Sequence, residues 1–140
     1  MKKLNFLLKG IDYSGTSDSR LIESISYDSR KVKNNSLFIA INGFQNDGHN
    51  YIDSAIKSGA IAILANMNFD KNYSIPILRV KNTRKAMSKI CANFFDNYSS
   101  NINITAITGT NGKTTITQLV NHILKCNNYS TSALGTLVLQ

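Results

Sequence analysis

Leu37-Phe38-Ile39-Ala40-Ile41 is an unbroken apolar run, closed by Asn34-Asn35-Ser36 on one side and Asn42-Gly43 on the other. Such a run between turn formers predicts a strand buried on both faces. Ala60-Ile61-Ala62-Ile63-Leu64-Ala65 repeats the pattern, and Pro76-Ile77-Leu78-Arg79-Val80 predicts a third strand. Between the first two, Asp47-Gly48-His49-Asn50 reads as a turn. Ile52, Ala55 and Ile56 then recur at helical spacing, with Gly59 where a helix C-cap belongs. The order strand, helix, strand predicts an α/β unit. From Asn82, a candidate N-cap, Ala86, Met87, Ile90 and Phe94 mark a helix of about four turns. The segment up to Leu21 is less patterned: Leu4, Leu7 and Leu8 suit one helical turn, and residues 12–15 a loop.

The polar stretch Asp96-Asn97-Tyr98-Ser99-Ser100-Asn101 predicts a boundary, giving one domain over residues 1–100 and a second over 101–140. The second opens on Ile102-Asn103-Ile104-Thr105-Ala106-Ile107-Thr108, a β-branched strand candidate. A glycine-containing loop follows, then a helix with Ile116, Leu119, Val120, Ile123 and Leu124 on one face. A last strand candidate spans residues 130–134, before Gly135-Thr136. The expected fold class is α/β throughout: a small complete domain followed by the start of another.

The loop Gly109-Thr110-Asn111-Gly112-Lys113-Thr114-Thr115 carries the candidate chemistry. A helix N-terminus presents N–H groups and partial positive charge to an anion. The glycines permit close backbone approach to a phosphate. Lys113 can reach the β- and γ-phosphates of a nucleoside triphosphate, and the Thr114 hydroxyl suits Mg²⁺. The pattern here is the short G-x-x-G-K-T; the longer G-x-x-x-x-G-K-[ST] would need glycine where Ile107 stands. ATP is the expected ligand.

Composition changes this picture little. The 140 residues are 42% hydrophobic, enough for a packed core, and no run approaches a membrane span. The opening Met1-Lys2-Lys3 precedes an apolar stretch too short and interrupted for a signal peptide, so a cytoplasmic protein is expected. A net charge of +8 favours anionic partners, but the basic residues are scattered and no nucleic-acid motif accompanies them. Part of the lysine content, like that of Asn and Ile, fits an A/T-rich coding bias. Cys91 and Cys126 lack metal-type spacing and are read as small core residues. His49 is read as bracing its turn, not as an acid or base. Arg30 either pairs with a diphosphate or braces Asp28.

The string Thr108-Gly109-Thr110-Asn111-Gly112-Lys113-Thr114-Thr115 resembles the ATP loop of the Mur ligases, which add amino acids to the peptidoglycan precursor; folylpolyglutamate synthetases share a related loop. Tyr27-Asp28-Ser29-Arg30-Lys31-Val32, Ser36-Leu37-Phe38-Ile39-Ala40-Ile41-Asn42-Gly43 and Asp47-Gly48-His49 resemble the UDP-sugar-binding domain of two Mur ligase branches, a domain the synthetases lack. Thr110 and Gly135-Thr136 favour the branch adding the third peptide residue over the branch adding the terminal dipeptide. The resemblance implies that Tyr27, Ser29 and the Phe44-Gln45-Asn46 loop contact the UDP-muramoyl substrate. It also implies that Gly109 to Thr115 bind ATP, with Lys113 catalytic and Thr114 on Mg²⁺. The implied reaction joins an amino acid, diaminopimelate, to UDP-MurNAc-L-Ala-D-Glu through an acyl phosphate, in a cytoplasmic monomer. The family's remaining metal ligands and acceptor domain lie downstream of the P-loop region, so a chain ending at Gln140 is expected to be a fragment without ligase activity of its own. The alternatives are a non-catalytic UDP-sugar-binding remnant and a dipeptide-adding ligase.

Overall fold

A computed structural model describes residues 1–43 and 46–135. The predicted contact residues Phe44 and Gln45, and Thr136, lie outside the described residues. The chain divides into two compact units, Met1–Asn101 and a second beginning at Ile102, each described by itself.

The first unit is built on a parallel four-stranded sheet of β3 (Ser24–Ser26), β4 (Ser36–Ile39), β5 (Ala60–Asn66) and β6 (Ile77–Val80), in that order. Helix α2 (Ile52–Lys57) joins β4 to β5, and α3 (Thr83–Phe94) follows β6. At the N-terminus, β1 (Lys2–Lys3) pairs antiparallel with β2 (Leu21–Ile22), and α1 (Leu4–Leu7) is the predicted single turn.

The apolar runs are explained by the two cores. Leu37, Ile39, Ala62, Leu64, Leu78 and Val80 face one side, against Leu4, Leu7, Ile22, Ala86 and Ile90. Phe38, Ala40, Ile63, Ala65 and Ile77 face the other, against Val32, Ile52 and Ala55. Alternate residues thus enter opposite cores, so a strand covered on both faces shows no polar alternation. The first run ends as a strand at Ile39, two residues earlier than predicted, because the chain turns to bring Asn42 opposite Asp47.

Strand β3 is not apparent in the sequence. Its polar residues are accommodated because Ser24 Oγ meets the buried Ser36 Oγ at 2.7 Å, and Ser36 also bonds Lys33 through both its backbone groups. Helix α3 starts at Asn82 as predicted, where the side-chain oxygen accepts the Lys85 N–H at 2.9 Å.

The second unit departs from expectation. The predicted strand over 102–108 does not form, and among the described residues this unit contains no strand. Residues 130–133 likewise adopt no regular structure. A β-branched run becomes a strand only when a neighbour takes its N–H and C=O groups, and no described segment pairs with this one. Ile102 and Ile104 are consequently exposed. Helix α4 (Lys113–Cys126) is present, but Ile116, Leu119 and Ile123 of its apolar face are about half exposed. Cys126, expected in a core, is exposed; its sulfur lies 3.6 Å from His122 Nε2. Cys91 is half-buried, and burial raises its thiol pKa.

Candidate functional site

In the first unit, the segments leaving the carboxyl ends of β3, β4 and β6 line one pocket of about 740 Å³, within the size range of small-molecule sites. Each wall has its own local cause.

The first wall leaves β3. Asp28 caps the turn Ser29–Lys31, its carboxylate accepting the Arg30 backbone N–H at 3.0 Å. The Arg30 side chain returns to the same carboxylate through Nε at 3.0 Å and Nη2 at 2.9 Å. These Arg30 contacts, side chain first, hold the Asp28 carboxyl down to about 2. Ser26 Oγ donates to the Asp28 carbonyl at 2.8 Å, fixing the approach to the turn. Tyr27 and Ser29 line the pocket from this wall, Tyr27 with its side chain largely exposed. Of the two roles open to Arg30, the structure displays the brace of Asp28.

The second wall leaves β4. Gly43 N–H donates to the Asn46 carbonyl at 3.0 Å and Gly48 N–H to the Ile41 carbonyl at 2.8 Å. A Cβ on Gly48 would stand 2.7 Å from both the N and O of Ile41, so the turn requires glycine there. Asp47 Oδ1 accepts the His49 N–H at 3.0 Å and meets its Nδ1 at 2.5 Å, while His49 Nε2 accepts the Asn66 N–H at 2.9 Å. This arrangement assigns the proton to Nδ1 and confirms the bracing role of His49. Asn46 lines the pocket.

The third wall was not read from the sequence. Arg84 and Met87, one turn apart on α3, line the pocket together with Tyr51. A signal for Arg84 was nevertheless available. Arg84 and Lys85 fall in the first turn of a helix with no acid there, against the helix dipole.

In the second unit, Gly112 is the N-cap of α4 at φ +75°, a conformation that favours glycine, and no side chain caps the helix. Lys113 Nζ folds over the loop, donating to the carbonyls of Gly109 at 2.5 Å and Thr110 at 3.2 Å. Thr114 and Thr115 stand exposed in the first turn, following Thr110 and Asn111 in the loop. An ammonium, an uncapped helix start and two hydroxyls form a donor set that fits the phosphates of ATP. Among the described residues no group of three or more His, Cys, Asp or Glu is arranged to hold a metal. The Thr114 hydroxyl is the group of this loop that would meet Mg²⁺.

Comparison with known proteins gives a match at residues 21–95 to the Mur ligase family, catalytic domain. The chain is 46% identical over 117 residues to UDP-N-acetylmuramyl-tripeptide synthetase 2 of Oceanobacillus iheyensis, covering 82% of this chain and 24% of that protein. It is 39% identical over 132 residues to the UDP-N-acetylmuramoyl-L-alanyl-D-glutamate–2,6-diaminopimelate ligase of Caldanaerobacter subterraneus, covering 94% and 27% respectively. Among solved structures, MurF ligase from Thermotoga maritima in complex with ADP aligns with a TM-score of 0.57 and 28% identity, over 78% of this chain and 25% of that one. The chain therefore spans about a quarter of the length of the relatives it matches.

Proposed function

Since the chain belongs to the Mur ligase family, we propose that it serves the ATP-dependent ligation of diaminopimelate to UDP-MurNAc-L-Ala-D-Glu in peptidoglycan synthesis, in the bacterial cytoplasm. The first unit is the UDP-MurNAc-substrate domain and the second begins the ATP-binding domain. The observation that carries the reading is the convergence of Tyr27, Ser29 and Asn46, from two separate connections of the sheet, on one pocket. There the Ser29 hydroxyl and the backbone of Ile41, Gly43, Asn46 and Gly48 offer donors and acceptors suited to a uracil edge or a phosphate. The choice of diaminopimelate follows the name of the Caldanaerobacter relative.

ATP, when bound with Mg²⁺, supplies the phosphoryl group that activates the substrate's glutamyl carboxylate. Toward it, the loop from Gly109 to Thr115 offers the α4 N-terminus, and Lys113 offers a compact positive charge that exchanges its loop carbonyls for phosphate oxygens. The ADP found with the Thermotoga MurF is consistent with nucleotide use in this family. Among the described residues no helix is long and apolar enough to cross a membrane.

The test is NMR titration of the 140-residue chain. UDP-MurNAc-L-Ala-D-Glu is expected to shift the amides of Tyr27, Ser29 and Asn46, and Mg²⁺–ATP those of Gly109, Gly112 and Lys113. Absence of both sets of shifts at millimolar ligand overturns the reading.

A further inference from the structure

We propose that a second cavity of the first unit, between the loop at residues 10–12 and the start of α3, binds a small anion carrying two or more phosphate or carboxylate groups. The cavity has a volume of about 380 Å³, and its lining shares no residue with the pocket of Tyr27, Ser29 and Asn46. Val80 and Ala86, both buried, contribute to its lining, and Lys81, Lys85, Lys89 and Asp12, all exposed, give it its charge. Three ammonium groups against one carboxylate leave a net charge of +2 around a recess of small-molecule size. That combination suits a multivalent small anion. A lipid surface or a nucleic-acid backbone would be met by cations on an open face.

The lysines are not consumed by the fold. Among the described residues, ion pairs engage Lys2, Arg20, Arg30 and His49, and none engages Lys81, Lys85, Lys89 or Asp12. Lys85 and Lys89 stand four residues apart on α3, where like charges destabilise a helix. Lys85 also falls in a first turn that holds no acid, against the helix dipole. An anion in the cavity reverses both effects, neutralising the pair and standing near the start of α3. Four residues of helix advance about 6 Å along the axis. Two anionic groups joined by a short bridge therefore match this pair better than one group does.

The wall opposite α3 is fixed before any ligand arrives. Gly10 adopts φ +74°, and a Cβ there would stand 3.3 Å from Lys89 Cε, so glycine lets the Lys89 stem cross the loop. One turn beyond Lys89, Asn93 Nδ2 donates to the carbonyls of Leu7 at 2.9 Å and Lys9 at 3.0 Å. The Ile11 N–H donates to the Leu8 carbonyl at 3.1 Å. The Lys89 ammonium is thus carried on a stem lying against a tethered loop.

The experiment is residue-resolved NMR titration of the 140-residue chain with inorganic diphosphate, citrate and orthophosphate at constant ionic strength. Diphosphate or citrate is expected to shift the amides of Gly10, Asp12, Lys81 and Lys85 to saturation, at least about fivefold more tightly than orthophosphate. Saturation by diphosphate alone assigns phosphate, saturation by citrate alone assigns carboxylate, and either supports the site. Mapping by residue separates these shifts from any at the Lys113 loop or the Ser29 pocket. Lys85→Gln and Lys89→Gln should each weaken binding about threefold to fivefold, the scale of an exposed ion pair. Asp12→Asn should strengthen it by a similar factor, because it removes a like charge. Lys57→Gln, on α2, should match wild type. Absence of these shifts with both diphosphate and citrate overturns the proposal, as does orthophosphate binding equally well. Equal weakening in Lys57→Gln would reduce the effect to overall charge and overturn it too. If a lysine variant proves unfolded by circular dichroism, Asp12→Asn decides: unchanged or weaker affinity there overturns the site.

Discussion

The backbone N–H of Asn66, at the end of β5, donates to Nε2 of His49 at 2.9 Å, tying the turn behind Asn46 to the sheet. The other ring nitrogen faces Asp47, and the ring itself packs 5.3 Å from that of Phe69. One imidazole therefore holds three segments in register: the turn after β4, the end of β5 and the loop beyond it. Its place beside the pocket invites an acid–base reading, yet both nitrogens are engaged in structure.

His49→Ala should consequently destabilise the first unit by about 1–3 kcal/mol, the usual cost of orphaning a half-buried amide. Binding of UDP should weaken with it, because Asp47 and the pocket residue Gly48 lose their brace. Urea unfolding monitored by circular dichroism measures the first effect. Wild-type stability in the variant would show that the contact is dispensable.

Asp28 gives a prediction in pH. Its carboxyl falls from 3.8 to about 2, first through the Arg30 side chain and then through the Arg30 backbone N–H. A folded-state value below the unfolded one means the charged form favours the fold. The contribution is complete above about 4 and is lost as pH falls toward 2. Asp18 behaves alike beside Arg20, also reaching about 2, so Asp28→Asn should remove only part of the acid sensitivity. Carboxyl-carbon NMR titration should place the Asp28 midpoint clearly below 3.8 in wild type and raise it toward, but not up to, 3.8 in Arg30→Ala, which keeps the backbone N–H. A midpoint near 3.8 in wild type refutes the pairing.

These two braces also mark how far the sequence could be read. The runs at 37–41 and 60–65 were visible as strands because a parallel strand covered on both faces is apolar at every position, and 77–80 follows the same pattern apart from Arg79. The turn at Asp47 and the cap at Asn82 were visible because short polar side chains bond the backbone two or three residues on. The stretch Ser24–Ser26 stayed hidden, since its qualification as a strand is the Ser36 hydroxyl across the ladder. The stretch at 102–108 misled for the converse reason, having β-branched residues without a described neighbour to pair with. Arg84 and Tyr51 were missed because they reach the pocket only through the folding of the sheet.

Asn93 tests a long-range contact of the same kind. Its Nδ2 donates to the carbonyls of Leu7 at 2.9 Å and Lys9 at 3.0 Å, closing the end of α1 against α3. Asn93 is buried, so Asn93→Leu strands two carbonyls beside an apolar side chain. The expected loss is about 2–4 kcal/mol, summing two hydrogen bonds with allowance for relaxation. Thermal unfolding of the two proteins checks it, and a drop under about 0.5 kcal/mol would mean water replaces the amide.

Lys113 separates the two proposed ligands. Its ammonium belongs to the second unit's loop, whereas Tyr27, Ser29 and Asn46 belong to the first unit's pocket. Lys113→Ala should therefore weaken ATP binding while leaving affinity for UDP-MurNAc-L-Ala-D-Glu unchanged. A charge-assisted hydrogen bond to phosphate contributes about 1.5–3 kcal/mol, so the loss in ATP affinity should be at least about tenfold. Lys113→Arg should fail to rescue it. In the structure the ammonium reaches two carbonyls of a four-residue span, Gly109 and Thr110, as a compact donor. A planar fork presents its donors in a fixed geometry that does not superpose on that site. In a ligase built on this chain, the deficit should be larger in turnover than in ground-state affinity, because charge accumulates on the transferring phosphoryl oxygens. Fluorescence or calorimetric titration with ATP and with the UDP substrate, on both variants, provides the comparison. Undiminished ATP affinity in Lys113→Ala would leave the loop as nothing more than a glycine-started helix and withdraw its nucleotide assignment.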